Sequence, residues 1–165
     1  MGSQGFTGYN PTLYFAETGQ TALLEATIEY TTQFKDGVDY QKDLFGGFSI
    51  TDGTKNGWIA ANDTGIAYTG WKFQRGLLAQ SVLTYPEARS VKMTLAIYDD
   101  YVYVFLNDRY ITRKSMDDIL PGRKEGADLA FSIFANADKA CDYKFSGVNI
   151  STDDDVVKQF IDKHI

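Results

Sequence analysis

One cysteine, Cys141, and one histidine, His164, are all the chain has of the residue types on which most zinc and thiol chemistry depends. A lone cysteine closes no disulfide within the chain, and a catalytic thiolate needs a basic neighbour, for which only His164 in the C-terminal tail is available. Cys141 lies in a strand-like run, Ala140 to Phe145, and reads as a small, partly buried thiol. Freedom from disulfides suits either the cytoplasm or a bacterial exterior. Positive charge is scarce too: 16 Lys+Arg stand against 22 Asp+Glu, a formal net charge of -6. The basic clusters are Arg113-Lys114 and Arg123-Lys124, both short and flanked by acids, so neither nucleic acid nor an anionic membrane surface is an expected partner. No apolar run approaches the ~20 residues of a membrane span, which argues against membrane insertion. A Gly-rich phosphate loop, a Cys/His cluster and a nucleophile elbow are all missing, against nucleotide, zinc and serine-hydrolase chemistry. Met1-Gly2-Ser3 has neither the charge nor the apolar stretch of a signal peptide and reads as an expression remnant, so the chain is expected to be one domain of a longer protein.

What is present is alternation. The 165 residues suit a single domain that buries a core without metal or disulfide help. Its organising stretch is Ser90 to Ile111, where Val91, Met93, Leu95 and Ile97 alternate with Lys92, Thr94 and Ala96, the period of a strand with one buried face. Asp99-Asp100 breaks the pattern, Tyr101 to Leu106 follows as a β-branched and aromatic run, and Asn107-Asp108 turns it into Arg109 to Thr112. Two consecutive hairpins make a meander, and a meander needs further strands against its apolar face.

Those strands are legible on either side. Thr12 to Ala16 is a short first strand, and Leu24 to Thr31 alternates with Glu25, Thr27 and Glu29 on its polar face. Leu44 to Ile50 is a strand whose Gly46-Gly47 pair points to a bulge or a closely approaching backbone. Gly57 to Ala61, Ile66 to Phe73 and Leu77 to Tyr85 follow, and Ala127 to Phe134 and Cys141 to Ile150 close the set. Ser115 to Leu120 is a single helical turn stopped by Pro121-Gly122. Ser151 to Asp155 begins a helix, with a hydroxyl cap, an acidic first turn and an apolar stripe of Val156, Val157, Phe160 and Ile161. The expectation is an all-β, antiparallel β-sandwich of jelly-roll type with a short C-terminal helix. Residues 1–8 are a mobile lead or expression remnant, 9–150 the sandwich, and 151–165 a helix that packs back on the sheets or joins a neighbouring domain.

The run Val91 to Ile97, a turn, and Tyr101-Val102-Tyr103-Val104-Phe105-Leu106-Asn107-Asp108 resembles the strand and Tyr-x-Val-x-x-Asn signature of concanavalin A-like and laminin G-like jelly rolls. Ala127 to Ile133 and Tyr143 to Ile150, with Phe145-Ser146-Gly147-Val148-Asn149-Ile150, are similar to that superfamily's closing strands. The likeness spans Leu24 to Ile150 and its motifs are structural. It implies a choice among carbohydrate-binding modules, lectins, retaining glucanases and protein-binding ectodomains, several of which bind calcium at the sandwich rim.

Retaining glucanases of that superfamily carry Glu-x-Asp-x-x-Glu on one strand, which this chain lacks. The nearest pair, Glu25 and Glu29, would stand ~13 Å apart on a strand, whereas retention wants roughly 5 Å. Sugar recognition instead needs flat rings with planar polar groups beside them. Trp58, Tyr68, Trp71 and Phe73 supply the rings, and Asn62, Asp63, Lys72, Gln74 and Arg75 the polar groups. Core burial competes for each ring, but strand parity keeps Tyr68 off the face of Trp71 and Phe73 unless a bulge at Gly70 intervenes. The expected ligand-binding set is therefore Trp71 with Arg75, together with Trp58, Tyr68, Asn62, Asp63 and Gln74. Calcium has candidates in the turns, Asp52, Asn56 and Asp63, then Asp99 and Asp100, although their spacing matches no known loop and a solvated turn is the default. The sequence thus points to a non-catalytic carbohydrate-binding module of an extracellular or cell-surface bacterial protein, with a polysaccharide or glycan as partner. A protein-interaction or structural domain of a surface adhesin is the alternative, and an unusual hydrolase the third choice.

Overall fold

The computed structural model describes residues 4–6, 13–19, 21–30, 45–62, 65–69, 72–75, 90–124, 126, 128–136 and 143–165. Its strands are β1 (Gln4–Phe6), β2 (Leu13–Gly19), β3 (Ala22–Tyr30), β4 (Phe45–Thr51), β5 (Asn56–Asn62) and β6 (Gly65–Tyr68). They continue as β7 (Lys72–Arg75), β8 (Ser90–Tyr98), β9 (Tyr101–Leu106), β10 (Arg109–Ser115), β11 (Leu129–Asn136) and β12 (Tyr143–Ser151). Helix α1 is the single turn Met116–Ile119, and α2 is Asp154–His164. Two six-stranded sheets result, in the orders β1, β12, β3, β8, β9, β10 and β2, β11, β4, β5, β6, β7. Their paired strands are antiparallel, so the chain is the expected β-sandwich. Within residues 1–8, read above as a mobile lead, Gln4–Phe6 pair with Tyr143–Phe145 at the edge of the first sheet.

Strand parity builds the core. Ala22, Leu24, Ala26 and Ile28 of β3 pair laterally with Ile97, Leu95, Met93 and Val91 of β8. Leu95 and Ile97 in turn face Val104 and Val102 of β9. Phe48, Ile50, Ile59, Ile66, Phe131 and Ile133 meet them from the other sheet, all buried in one cluster. The meander's turns close as expected. Asp99, Asp100, Asn107 and Asp108 have φ of 51°, 66°, 52° and 64°, the left-handed geometry of tight hairpins that short polar side chains tolerate.

Three local readings change. The stretch Ile66 to Phe73 is not one strand but a hairpin, β6 and β7, with Tyr68 opposite Lys72. Its turn is anchored at Thr69, whose N–H donates to the Trp58 carbonyl at 3.1 Å and whose hydroxyl accepts from the Trp58 N–H at 3.0 Å. Gly46-Gly47 carries no bulge. The close-approach alternative is the one realised, because a Cβ on Gly47 would lie 2.6 Å from Ala60 Cα. Helix α2 is capped by a carboxylate rather than a hydroxyl: Asp153 Oδ1 accepts from the N–H groups of Asp155 and Val156 at 2.9 and 3.2 Å. Leu77 to Tyr85 and Cys141 lie outside the described residues.

Helix α1 closes the sandwich at one end. Met116, Ile119 and Leu120 are buried in the core cluster, and the Ile119 carbonyl accepts from the Thr69 hydroxyl. Arg123, only 14% exposed, spans Asp117 at 2.9 Å and Asp100 at 3.1 Å, tying the residues after α1 to the β8–β9 turn. Asp52 ties the same residues to the β4–β5 turn. Its Oδ1 accepts from the N–H groups of Thr54 and Lys55 at 2.8 and 2.6 Å, and its Oδ2 from the N–H of Lys124 at 2.8 Å.

Helix α2 lies across the outer face of the first sheet, contacting β8 and β3. Val157 joins Leu23, Ala96 and Phe105 in a second buried cluster, flanked by Phe160 and Ile161. Phe160 meets Phe105 edge-on at 4.9 Å and stacks on His164 at 4.0 Å. The helix therefore packs back on the sheet. It covers a face that strand parity made apolar a second time, and Thr94, in the row of Glu25 and Phe105, is buried there with its hydroxyl unpartnered.

Two measurements follow from this packing. Thr94→Val removes an unmade hydrogen bond without opening a cavity, so it is expected to raise unfolding stability by about 1 kcal/mol in denaturant melts. For Asp52, the amides of Lys55, Lys124 and Thr54 hold the carboxyl well below the usual carboxylate range. A folded-state pKa below the unfolded one gives stability that is complete above the ordinary value and lost as pH falls beneath it. The stability gap between the native chain and Asp52→Asn should therefore be constant from neutral pH to about pH 4 and close below that, measured by melts across the series.

Candidate aromatic binding face

The half of the first sheet's outer face that α2 leaves open is a platform of tyrosines. On β9, Tyr101 and Tyr103 alternate with the core residues Val102 and Val104, and they project away from the core together with Phe105. Ring centroids stand 6.4 Å apart for Tyr101–Tyr103, 6.5 Å for Tyr103–Tyr110 and 5.8 Å for Phe105–Tyr110, none of them stacked face to face. Tyr110 is 40% exposed, among the most open large apolar side chains described. Over this row lies Arg113, with its guanidinium carbon 4.2 Å from the Tyr101 centroid and 5.9 Å from that of Tyr103.

A bulge brings the two β10 members together. Tyr110 pairs with Phe105 and Thr112 with Val104, so Ile111 is an extra residue with no partner of its own. Residues three apart on a regular strand point to opposite faces. With Ile111 inserted, Arg113 pairs with Tyr103 and shares the face of Tyr110. Ile111 itself packs against the core. The same parity divides the dipeptide read above as a basic cluster. Lys114 pairs with the buried Val102 and places its ammonium 5.1 Å from the Tyr68 ring, across the sandwich edge.

Arg113 is exposed, and its pKa is pushed up by a hydrogen bond to Tyr103 and by the tyrosines Tyr101, Tyr103 and Tyr110, with no carboxylate contributing. The site can therefore offer flat ring faces for an apolar surface and a fixed guanidinium for hydrogen bonding beside them.

The residues expected from sequence are distributed differently. Tyr68 packs on the sandwich core. Trp58, half-buried, precedes the buried Ile59 on β5, so the two rings lie on opposite faces of the sheet. Backbone register sets Asn62, Gly65 and Arg75 in one row, while Gln74 pairs with Ile66, one step off it. Trp71 and Asp63 lie outside the described residues. Of the calcium candidates, Asp52 has both carboxylate oxygens engaged by amides, Asn56 pairs with Thr51 at the start of β5, and Asp100 holds Arg123. Among the described residues no three His, Cys, Asp or Glu side chains converge as a metal site, and no helix is long and apolar enough to cross a membrane.

Neither a protein-family model nor a curated protein matches the chain. Solved structures do. The binding domain of Paraclostridial Mosquitocidal Protein 1 is 12% identical over 98% of this chain and 46% of its own, with a TM-score of 0.55. A sialidase is 8% identical over 90% of this chain and 14% of its own, with a TM-score of 0.56. The Crh5 transglycosylase, solved in complex with NAG, is 8% identical over 90% of this chain and 70% of its own, with a TM-score of 0.52. The chain thus spans less than half the length of the first two. At such identities the likeness is one of fold: a two-sheet antiparallel sandwich.

Proposed function

We propose that the chain is a non-catalytic carbohydrate-binding module of a larger extracellular or cell-surface protein, and that the sugar rests on the tyrosine platform of β9 and β10. The observation that carries this reading is the row of half-buried Tyr101 and Tyr103 and exposed Tyr110, with the Arg113 guanidinium over Tyr101. A pyranose stacks its apolar C–H face on such rings and takes hydrogen bonds at its hydroxyls from a planar donor alongside. The sialidase and the NAG-bound transglycosylase support the sugar reading as users of the same fold. The non-catalytic part rests on Glu25 and Glu29, four positions apart on β3 and so ~13 Å from one another, beyond the spacing of either hydrolytic course. Calcium is given no role at Asp52, whose oxygens are already taken.

A second placement of the same function has its own support: the row of Asn62, Gly65 and Arg75 on the strands that flank Trp58. Affinity electrophoresis across plant, host and microbial polysaccharides, with calcium and with chelator, identifies a retarding polysaccharide. Against it, Tyr101→Ala and Tyr110→Ala are each expected to weaken binding about tenfold or more, the scale of a lost aromatic contact of 1–2 kcal/mol, with circular dichroism unchanged. Retained retardation in both, together with its loss in Trp58→Ala, would move the site to the other sheet. Silence across the panel would favour a protein partner instead.

A further inference from the structure

Two described cations are paired with acids, whereas Arg113 and Lys114 lie against tyrosine rings. Lys92 meets Asp108 at 2.9 Å and Arg123 meets both Asp100 and Asp117. Arg113 has no acidic partner among the described residues. Stacking on Tyr101 occupies one face of its guanidinium, whose carbon stands 5.9 Å from the Tyr103 centroid. Of the five N–H donors that a guanidinium carries in one plane, most remain directed to solvent. In a chain of net charge -6, Arg113 is thus a cation laid on a ring with no carboxylate beside it among the described residues.

What fits that edge is a planar anion. A carboxylate presents two oxygens at the spacing of the guanidinium fork, and the pair of parallel bonds is about twice as strong as bonds to neutral hydroxyls. We infer, on the sugar-binding reading above, that the ligand is an acidic sugar whose carboxylate docks on Arg113 while its ring lies over Tyr103 and Tyr110. The tyrosine hydroxyls flanking the ring then serve the neutral positions. Approach is opposed by the overall negative charge, so affinity comes from the short-range bidentate contact rather than from long-range attraction.

The test uses the whole chain and three uronate polymers, polygalacturonate, alginate and hyaluronate, each beside its carboxyl-reduced, neutral counterpart. Affinity electrophoresis should show retardation by at least one acidic polymer, and about tenfold or more weaker retention by its reduced form, the scale of one charge-assisted bond. Arg113→Gln, at an exposed position, should lose that difference while leaving the melting temperature unchanged. Arg113→Lys should keep only part of it, because a point charge cannot form the fork. Equal binding to acid and reduced forms, or an unaltered difference in Arg113→Gln, overturns the acidic-sugar inference and leaves sugar binding standing. Binding to dextran sulfate but to none of the uronates overturns the carboxylate and points to a sulfate ester. No binding to any acidic or neutral polysaccharide overturns both.

Discussion

Strand β9 is apolar on both of its faces, and much of the architecture follows from that constraint. Val102, Val104 and Leu106 enter the core between the sheets, and the same two-residue period sends Tyr101, Tyr103 and Phe105 outward. Three large rings on an outer face must be covered or used. Phe105 is covered, by Phe160, Val157 and His164 of α2. Tyr101, Tyr103 and their neighbour Tyr110 are left as a surface on which Arg113 is laid. The C-terminal helix and the tyrosine platform are thus two answers to one apolar face, side by side on a single sheet.

The bulge at Ile111 fixes the composition of that surface. Were Tyr110 to Arg113 a regular strand without the bulge, Tyr110 and Arg113 would face opposite sides of β10. With it, a ring and a cation stand together on the last strand of the sheet. The rim is held as tightly from the other end. Arg123 and Asp52 clamp the residues after α1 to two different turns, and α1 seals the core beneath them through Met116, Ile119 and Leu120. These contacts adjoin the tyrosine row, since Asp100 precedes Tyr101 and Ser115, the cap of α1, pairs with Tyr101.

The alternation of Leu24 to Thr31 and Val91 to Ile97 made the strands legible, and Asp99-Asp100 and Asn107-Asp108 made both hairpins legible, because period and turn chemistry are local properties. Other features were not local. Ile66 to Phe73 read as one strand because its run is continuous, whereas the turn at Thr69 is fixed by Trp58 and Ile119, the latter fifty positions away. The bulge at Ile111 depends on the partner strand and leaves no mark in the run Tyr110 to Arg113. A signal for the platform did exist. Tyr101 to Leu106 breaks the alternation that Leu24 to Thr31 and Val91 to Ile97 obey, and a strand apolar on both sides implies a second covered or functional face.

The claim that the tyrosine face is the binding surface is most directly tested by nuclear magnetic resonance titration with a fragment of a retained polysaccharide. The chain has two tryptophans and so two indole N–H signals, of which that of Trp58 reports on the other sheet, while the Arg113 Nε–H and the ring protons of Tyr101, Tyr103 and Tyr110 report on this one. The account predicts that the arginine and tyrosine signals move with ligand concentration and that the Trp58 indole signal stays where it is. Movement of an indole signal with Arg113 and the tyrosines unperturbed would contradict it.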